Sequence, residues 1–453
     1  MVRSLFLLGM AVGLAATPLA AQAPVEFEQY TLSNGLRVIL APDPAASVVT
    51  VNVWYNVGSR NERPGRSGFA HLFEHMMFQG SANVDKGEHM QFIERAGGNM
   101  NGSTNTDRTN YYETLPPNRL NLGLWLEADR MRSLAITDDN FENQRETVKE
   151  ERRLRVDNQP YAPAFTEGLT VPYDSTTCFP YSHTVIGSMD DLNAAQTADV
   201  REFFNLYYAP NNATLTVVGD FDPGETKALI EEYFGGIPRA EEPPAVECQV
   251  SYGELGGHTV MPDQHANLPA VLIAFLIPPH HHADTPALTL LGTILGQGES
   301  SRLNRALVRD AQSALQALAF VDSRRGPGQF IAGAIANQGV GHDTLETQLW
   351  TEIGTVVAEG VTEAELEKAK NSYRADQIYG RQTTMGMAET LQHFAHFHDA
   401  IEDINGELGR YMAVTLDDVR RVASTYLVPG NAHTVIAQPA EAAGAADAEG
   451  ADR

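Results

Sequence analysis

Asp199 to Ala213 reads DVREFFNLYYAPNNA, and Asp418 to Ala432 reads DVRRVASTYLVPGNA. Asp-Val-Arg recurs, then Tyr207 as Tyr426, Pro210 as Pro429, and Asn212-Ala213 as Asn431-Ala432, all at one offset of 219 residues. Chance matches scatter over many offsets, so a single shared one marks duplication of one structural unit. In each copy a helical stretch runs into a proline turn and then a strand. A chain of 453 residues has the length for two such units. Outward from the repeat, Tyr30 to Ala41 (YTLSNGLRVILA) reads as a hairpin about Asn34-Gly35, and Val48 to Val57 alternates as a strand. Gly68 to Phe78, Leu120 to Leu134 and Asp139 to Val156 are helical, and Thr214 to Val218 is a strand. Long helices mixed with a hairpin point to an α+β fold of two homologous domains, each a mainly antiparallel sheet packed with helices.

Met1 to Ala23 carries Arg3, a short apolar run from Leu5 to Leu14, and a small-residue Ala20-Ala21-Gln22-Ala23 end. That is the pattern of a secretory leader, and it places the chain in a bacterial periplasm. Pro238 to Pro244, with Glu241 and Glu242, reads as an acidic Pro-rich linker. The expected organisation is a signal peptide (1–23), an N-terminal domain (24–237), a linker (238–248), a homologous C-terminal domain (249–439) and a disordered acidic tail (440–453). No later stretch is long and apolar enough to span a bilayer.

Lys plus Arg number 32 against 58 Asp plus Glu, a formal charge of −26. A field of that sign repels phosphate backbones and anionic lipid heads, so no nucleic acid and no stable membrane insertion are expected. Cys178 and Cys248 are too few for a cysteine-built metal site. They form one bridge or stay two small buried hydrophobes.

The chemistry sits at His71-Leu72-Phe73-Glu74-His75. Residues four apart share one helix face, so His71 and His75 can turn both imidazoles to one ion. Glu74 borders that face. Two imidazoles and a carboxylate, with a position left for water, make a catalytic zinc site. The third ligand comes from elsewhere. Glu142, Glu146, Glu150 and Glu151 all lie on one acidic helix, and spacing alone does not choose among them.

His71 to His75, with Glu151 in Val148-Lys149-Glu150-Glu151 and 76 positions beyond His75, resembles the pitrilysin and insulinase family of zinc peptidases. It is most similar to short bacterial members related to mitochondrial processing peptidase. The resemblance runs from Glu26 to Pro439 and includes Gly97-Gly98 with Asn101 and Leu295-Gly296-Gln297-Gly298 before Ser301-Arg302-Leu303. It implies a duplicated half-clamshell, with His71, His75 and Glu151 as zinc ligands and Glu74 as general base to the zinc-activated water. Gln144 departs from the pattern: the family often carries Glu seven positions before the ligand.

The resemblance also implies an Arg/Tyr pair on a second-half helix. The corresponding positions hold Val308 and Leu315, or Arg309 and Gln316 after a one-residue slip, and no Tyr lies between Ser301 and Phe330. The second half lacks the metal motif too, with Leu290 and Ile294 at offset 219. This chain is therefore expected to be the metal-bearing subunit of a heterodimer whose homologous partner supplies the pair. A homodimer, or a monomer with another oxyanion donor, is the competing arrangement.

The polar stretch Asn99 to Thr109 is either a loop or an exposed edge strand. Asn101 on it is the expected substrate contact, by strand addition to a peptide. His280-His281-His282 is expected on a loop surface, and His393, His396 and His398 as packed or surface residues. Gly296 to Gly298 lacks the Lys-Ser/Thr of a phosphate loop. The expected function is an exported zinc metallopeptidase acting on peptides. The alternative is a catalytically silent peptide-binding or scaffold subunit.

Overall fold

The computed structural model describes residues 24–440, apart from position 399. The leader (1–23) and all of the tail except Ala440 lie outside the described residues. The first sheet contains β1 (Glu28–Thr31), β2 (Arg37–Pro42), β3 (Val49–Tyr55), β4 (Asn99–Thr104), β5 (Thr109–Leu115) and β6 (Ala213–Gly219). The second contains β7 (Gly257–Asp263), β8 (Ala270–Ile277), β9 (Ala314–Asp322), β10 (Gly328–Ala336) and β11 (Ala432–Pro439). Their orders are β1-β2-β6-β3-β5-β4 and β7-β11-β8-β10-β9. With β1 set aside the two are the same sheet. Among the described residues the parallel pairs are β2–β6 and β7–β11, in corresponding places. The fold is thus α+β and duplicated, as the repeat requires. The repeated segment forms the helices Thr197–Tyr207 and Leu416–Tyr426 and the strands β6 and β11 that follow them.

Both central strands are buried on both faces, which the sequence expresses differently. β8 is AVLIAFLI, an unbroken apolar run. β3 is VTVNVWY, with Val49, Val51, Val53 and Tyr55 in the first helix-covered core. Its other face shows Thr50, Asn52 and Trp54, all buried.

What covers that face comes from the other half of the chain. The helix Thr384–Phe397 crosses onto β3 and β6. Its Ala388, Leu391 and Phe394 pack on Ile39, Ala41 and Val218. Asn52 and Asn110 donate to the Glu389 carboxylate at 2.6 and 2.8 Å, and Gln392 Nε2 donates to the carbonyls of Asn52 (3.1 Å) and Thr214 (2.8 Å). These bonds satisfy the donors of Asn52, Asn110 and Gln392 on the polar face, while Asn52 Oδ1 and Gln392 Oε1 are buried without a hydrogen bond. The exchange is reciprocal. Ala164 and Leu169 of the first half pack on Ala270, Leu272 and Val435 of the second sheet, and Gln329 Nε2 donates to the Leu169 carbonyl at 2.8 Å. Packing therefore crosses the sequence linker in both directions. Cys178 and Cys248 form a disulfide, resolving the two alternatives left by the sequence.

One buried polar network lies inside the first domain. His89 Nε2 is 2.9 Å from Glu113, and Arg130 pairs with Glu127 and lies 3.8 Å from Glu113. Burial raises the pKa of both carboxyls, against the pull of Arg130. Arg130 also stacks 4.4 Å from the centre of the Tyr111 ring. Arg130→Met strands two carboxylates in the core and is expected to cost about 3–5 kcal/mol. Urea unfolding checks this, and a loss under about 1 kcal/mol contradicts it.

Candidate metal centre and active site

The helix Phe69–Met76 carries the motif. Gly68 precedes it at φ +88°, and a Cβ there would sit 2.7 Å from the Ile186 carbonyl oxygen, so only glycine fits the entry. The buried Glu62 carboxylate accepts from the N–H groups of Gly68 (2.9 Å) and Ala70 (2.7 Å) and lies 3.0 Å from His183 Nε2. It thereby satisfies donors at the helix start and sets a negative charge at the positive end of the dipole. Burial alone would lower the His183 pKa; its contact with Glu62 outweighs this and raises it. Leu72, Phe73 and Met76 anchor the inner face, with Phe73 4.4 Å from the Tyr208 ring.

The helix Asp138–Arg152 supplies the acid, and Thr137 caps it by accepting from the Asn140 N–H. Its buried residues Phe141, Gln144 and Val148 form a stripe, and Glu151 continues that stripe by three positions. The Glu151 side chain is accordingly 16% exposed, against 54% for Glu142, 56% for Glu146 and 58% for Glu150. The stripe was a usable sequence signal for choosing among the four acids.

Glu151 Oε2 lies 3.2 Å from His75 Nε2 and 3.7 Å from His71 Nε2. The two rings stand 4.9 Å apart at 81°. One donor atom from each of His71, His75 and Glu151 falls within 4.8 Å of the others. The second carboxylate oxygen of Glu151 holds Arg155 at 3.0 Å. Burial, then His75, lowers the His71 pKa to about 4. The bond from His75 holds Glu151 below the usual carboxylate range, although partial burial opposes it. A neutral His71 imidazole and an ionised Glu151 carboxylate are protonation states that suit a zinc ion. The donor set fits zinc on chemistry and on convergence.

Glu74 accepts a 2.6 Å bond from the Thr104 hydroxyl of β4. Burial raises its pKa, and the Thr104 bond opposes that. Thr104 was not among the residues singled out by sequence, nor were Glu62, His183 and Arg155. A threonine in a polar stretch and an acid seven residues before a helix carry no spacing signal. Gln144 Nε2 donates to Asn143 at 2.8 Å, and His71 Nδ1 is buried without a hydrogen bond.

The polar stretch is an edge strand rather than a loop. β4 ends its sheet and pairs with β5 on one side only, Asn101 lying opposite Tyr112. Asn101 is exposed. In the second half, Leu290 and Ile294 are packed core residues. Val308 packs against that core, Arg309 pairs with its neighbour Asp310, and Leu315 and Gln316 are exposed on β9.

One expectation is corrected. His280 is not a surface residue: it is partly buried, with Nε2 3.0 Å from His398 Nε2 and 3.1 Å from His393 Nε2. The crossing helix brings residues more than 100 positions away onto the loop after β8, which local sequence does not register. His393 and His396 do not meet each other through their nitrogens; His396 Nε2 lies 3.2 Å from the Asp107 carbonyl instead.

Residues 37–169 match the family described as Insulinase (Peptidase family M16), and residues 194–373 match the Peptidase M16 inactive domain. The zinc protease PqqE of Helicobacter pylori is 31% identical over 91% of this chain and 93% of its own. This chain belongs to the M16 (insulinase) peptidase family. A crystal structure of a protease from Helicobacter pylori aligns with TM-score 0.87 at 30% identity, over 92% of this chain and 100% of that one. The first half of the periplasmic protease PqqL from Escherichia coli aligns with TM-score 0.74 at 18% identity, over 93% of each chain, which speaks to fold alone. The inactive-domain match takes in Leu290 and Ile294, where the metal motif is replaced by core. No helix of the described residues is long and apolar enough to cross a membrane.

Proposed function

We propose that the chain is an exported zinc metallopeptidase that hydrolyses peptides, with His71, His75 and Glu151 as the metal ligands and Glu74 as the general base. The observation that carries this reading is the convergence of those three donors beside the partly buried Glu74 carboxylate held by Thr104. A zinc ion, when bound, acidifies water and polarises a carbonyl. Glu74 takes the proton of the attacking water, and its burial favours holding that proton until the amine leaves. Thr104 fixes the carboxylate's orientation, and because it lies on β4, the strand offered to substrate and the base are set by one element. A peptide added along the open edge of β4 is held by main-chain hydrogen bonds, with Asn101 in reach.

The absence of a tyrosine between Ser301 and Phe330 supports the further reading that this is the metal-bearing subunit of a heterodimer. A like-sized homologous chain would bring the Arg and Tyr that stabilise the oxyanion. Each such donor is worth about 10²–10³ in rate. Mixing the purified chain with that partner is expected to raise peptide hydrolysis by at least about 100-fold. Full activity of the chain alone, unchanged by the partner, sinks the heterodimer. The leader pattern of residues 1–23 supports export; fractionation of the cell envelope tests it.

A further inference from the structure

The three histidines of the crossing helix and the β8 loop form a donor cluster outside the peptidase centre. His280 lies on the loop after β8, His393 lies near the end of the helix Thr384–Phe397, and His398 directly follows that helix. Their Nε2 atoms converge, at 3.0 Å for His280–His398 and 3.1 Å for His280–His393. One donor atom from each of the three lies within 4.8 Å of the others. A ring nitrogen carries either one proton or one lone pair, so His280 Nε2 can make a good hydrogen bond with only one of its two neighbours. Hydrogen bonding therefore cannot use both close contacts of His280 Nε2 at once, whereas a metal ion can take a lone pair from each of the three nitrogens. A tetrahedral zinc ion about 2.0–2.1 Å from each nitrogen would hold them about 3.3–3.4 Å apart, a small outward shift for the His280–His398 and His280–His393 pairs.

The surroundings of His280 and His393 favour neutral rings. Burial lowers the His280 pKa to about 4 and that of His393 well below its usual value, and Arg410 and Arg108 add to the effect. The Asp403 carboxylate approaches His398 Nδ1 at 3.8 Å, on the side away from the cluster. A carboxylate behind a ligating imidazole is a common support for a metal site. The cluster also borders a cavity of about 450 Å³ lined by Trp54, Arg108, Glu389 and Phe397, which gives an ion and a fourth ligand a way in.

We infer that His280, His393 and His398 form a second divalent-metal site, of zinc type, that ties the crossing helix to the second sheet. The helix covers the first sheet and the loop ends a strand of the second, so the ion would pin the two halves together. Its role is structural and independent of the peptidase reading.

Zinc binding to the full chain carrying His71→Ala and His75→Ala tests this, because that protein lacks the first site. One zinc per chain is expected to remain by elemental analysis after dialysis, and added zinc should raise the unfolding temperature by several degrees. His280→Ala, or His280→Gln if the smaller residue disturbs folding, should abolish both in that background, as should His393→Ala. A double variant that retains no zinc overturns the site. So does zinc that stays bound, with the same thermal shift, after His280 and His393 are each replaced.

Discussion

Glu74→Gln is expected to lower peptide hydrolysis by about 10²–10⁴-fold while leaving the bound metal in place. The substitution keeps the shape of the side chain and its acceptor for Thr104, 2.6 Å away. It removes only the capacity to take a proton. The Glu151 carboxylate and both imidazoles are untouched, so zinc content should match the unaltered chain. Steady-state cleavage of a fluorogenic peptide, paired with elemental analysis, reads the two quantities separately. Cleavage at the unaltered rate would remove Glu74 from the mechanism, and loss of metal together with rate would make it a ligand rather than a base.

Glu151→Ala should act on both quantities at once. The loss of a supporting residue around a metal typically costs 10–100-fold in affinity, and a direct ligand costs more. Zinc affinity at the first site should fall by more than about 100-fold and hydrolysis with it, and chelation of the unaltered chain should give the same inactive state. Glu150→Ala is the matched control: its side chain is 58% exposed and paired with Arg153, so the effect on both readouts should be small. Equal loss in the two variants would show that the acidic helix contributes charge rather than one ligand.

The residues differ in how openly they announced these roles. The single offset joining Asp199 with Asp418 contained the duplication, because both copies had to keep the same helix, turn and strand. The pair His71 and His75 was legible because one helix turn sets their spacing. Glu151 was recoverable in principle from the buried stripe Phe141, Gln144, Val148, although the acidity of that helix hid it. The exchange of the helix Thr384–Phe397 onto the first sheet was not legible. Its Glu389 and Gln392 answer polar groups of Asn52, Asn110 and Thr214, residues some 180 to 340 positions distant, and no local pattern encodes such a partner. The same crossing made the three-histidine cluster invisible: His280 and His398 are 118 positions apart, and each taken by itself reads as an ordinary loop or surface histidine. Thr104 went unnoticed for a related reason. Its hydroxyl matters only because β4 lies beside the motif helix.

Anomalous diffraction at the zinc edge from crystals of the unaltered full chain tests the assignment of the catalytic centre most directly. A peak bounded by the Nε2 atoms of His71 and His75 and the Glu151 carboxylate is the result expected. Density for those side chains with no anomalous signal among them, from protein purified without chelator and supplied with zinc, would contradict it.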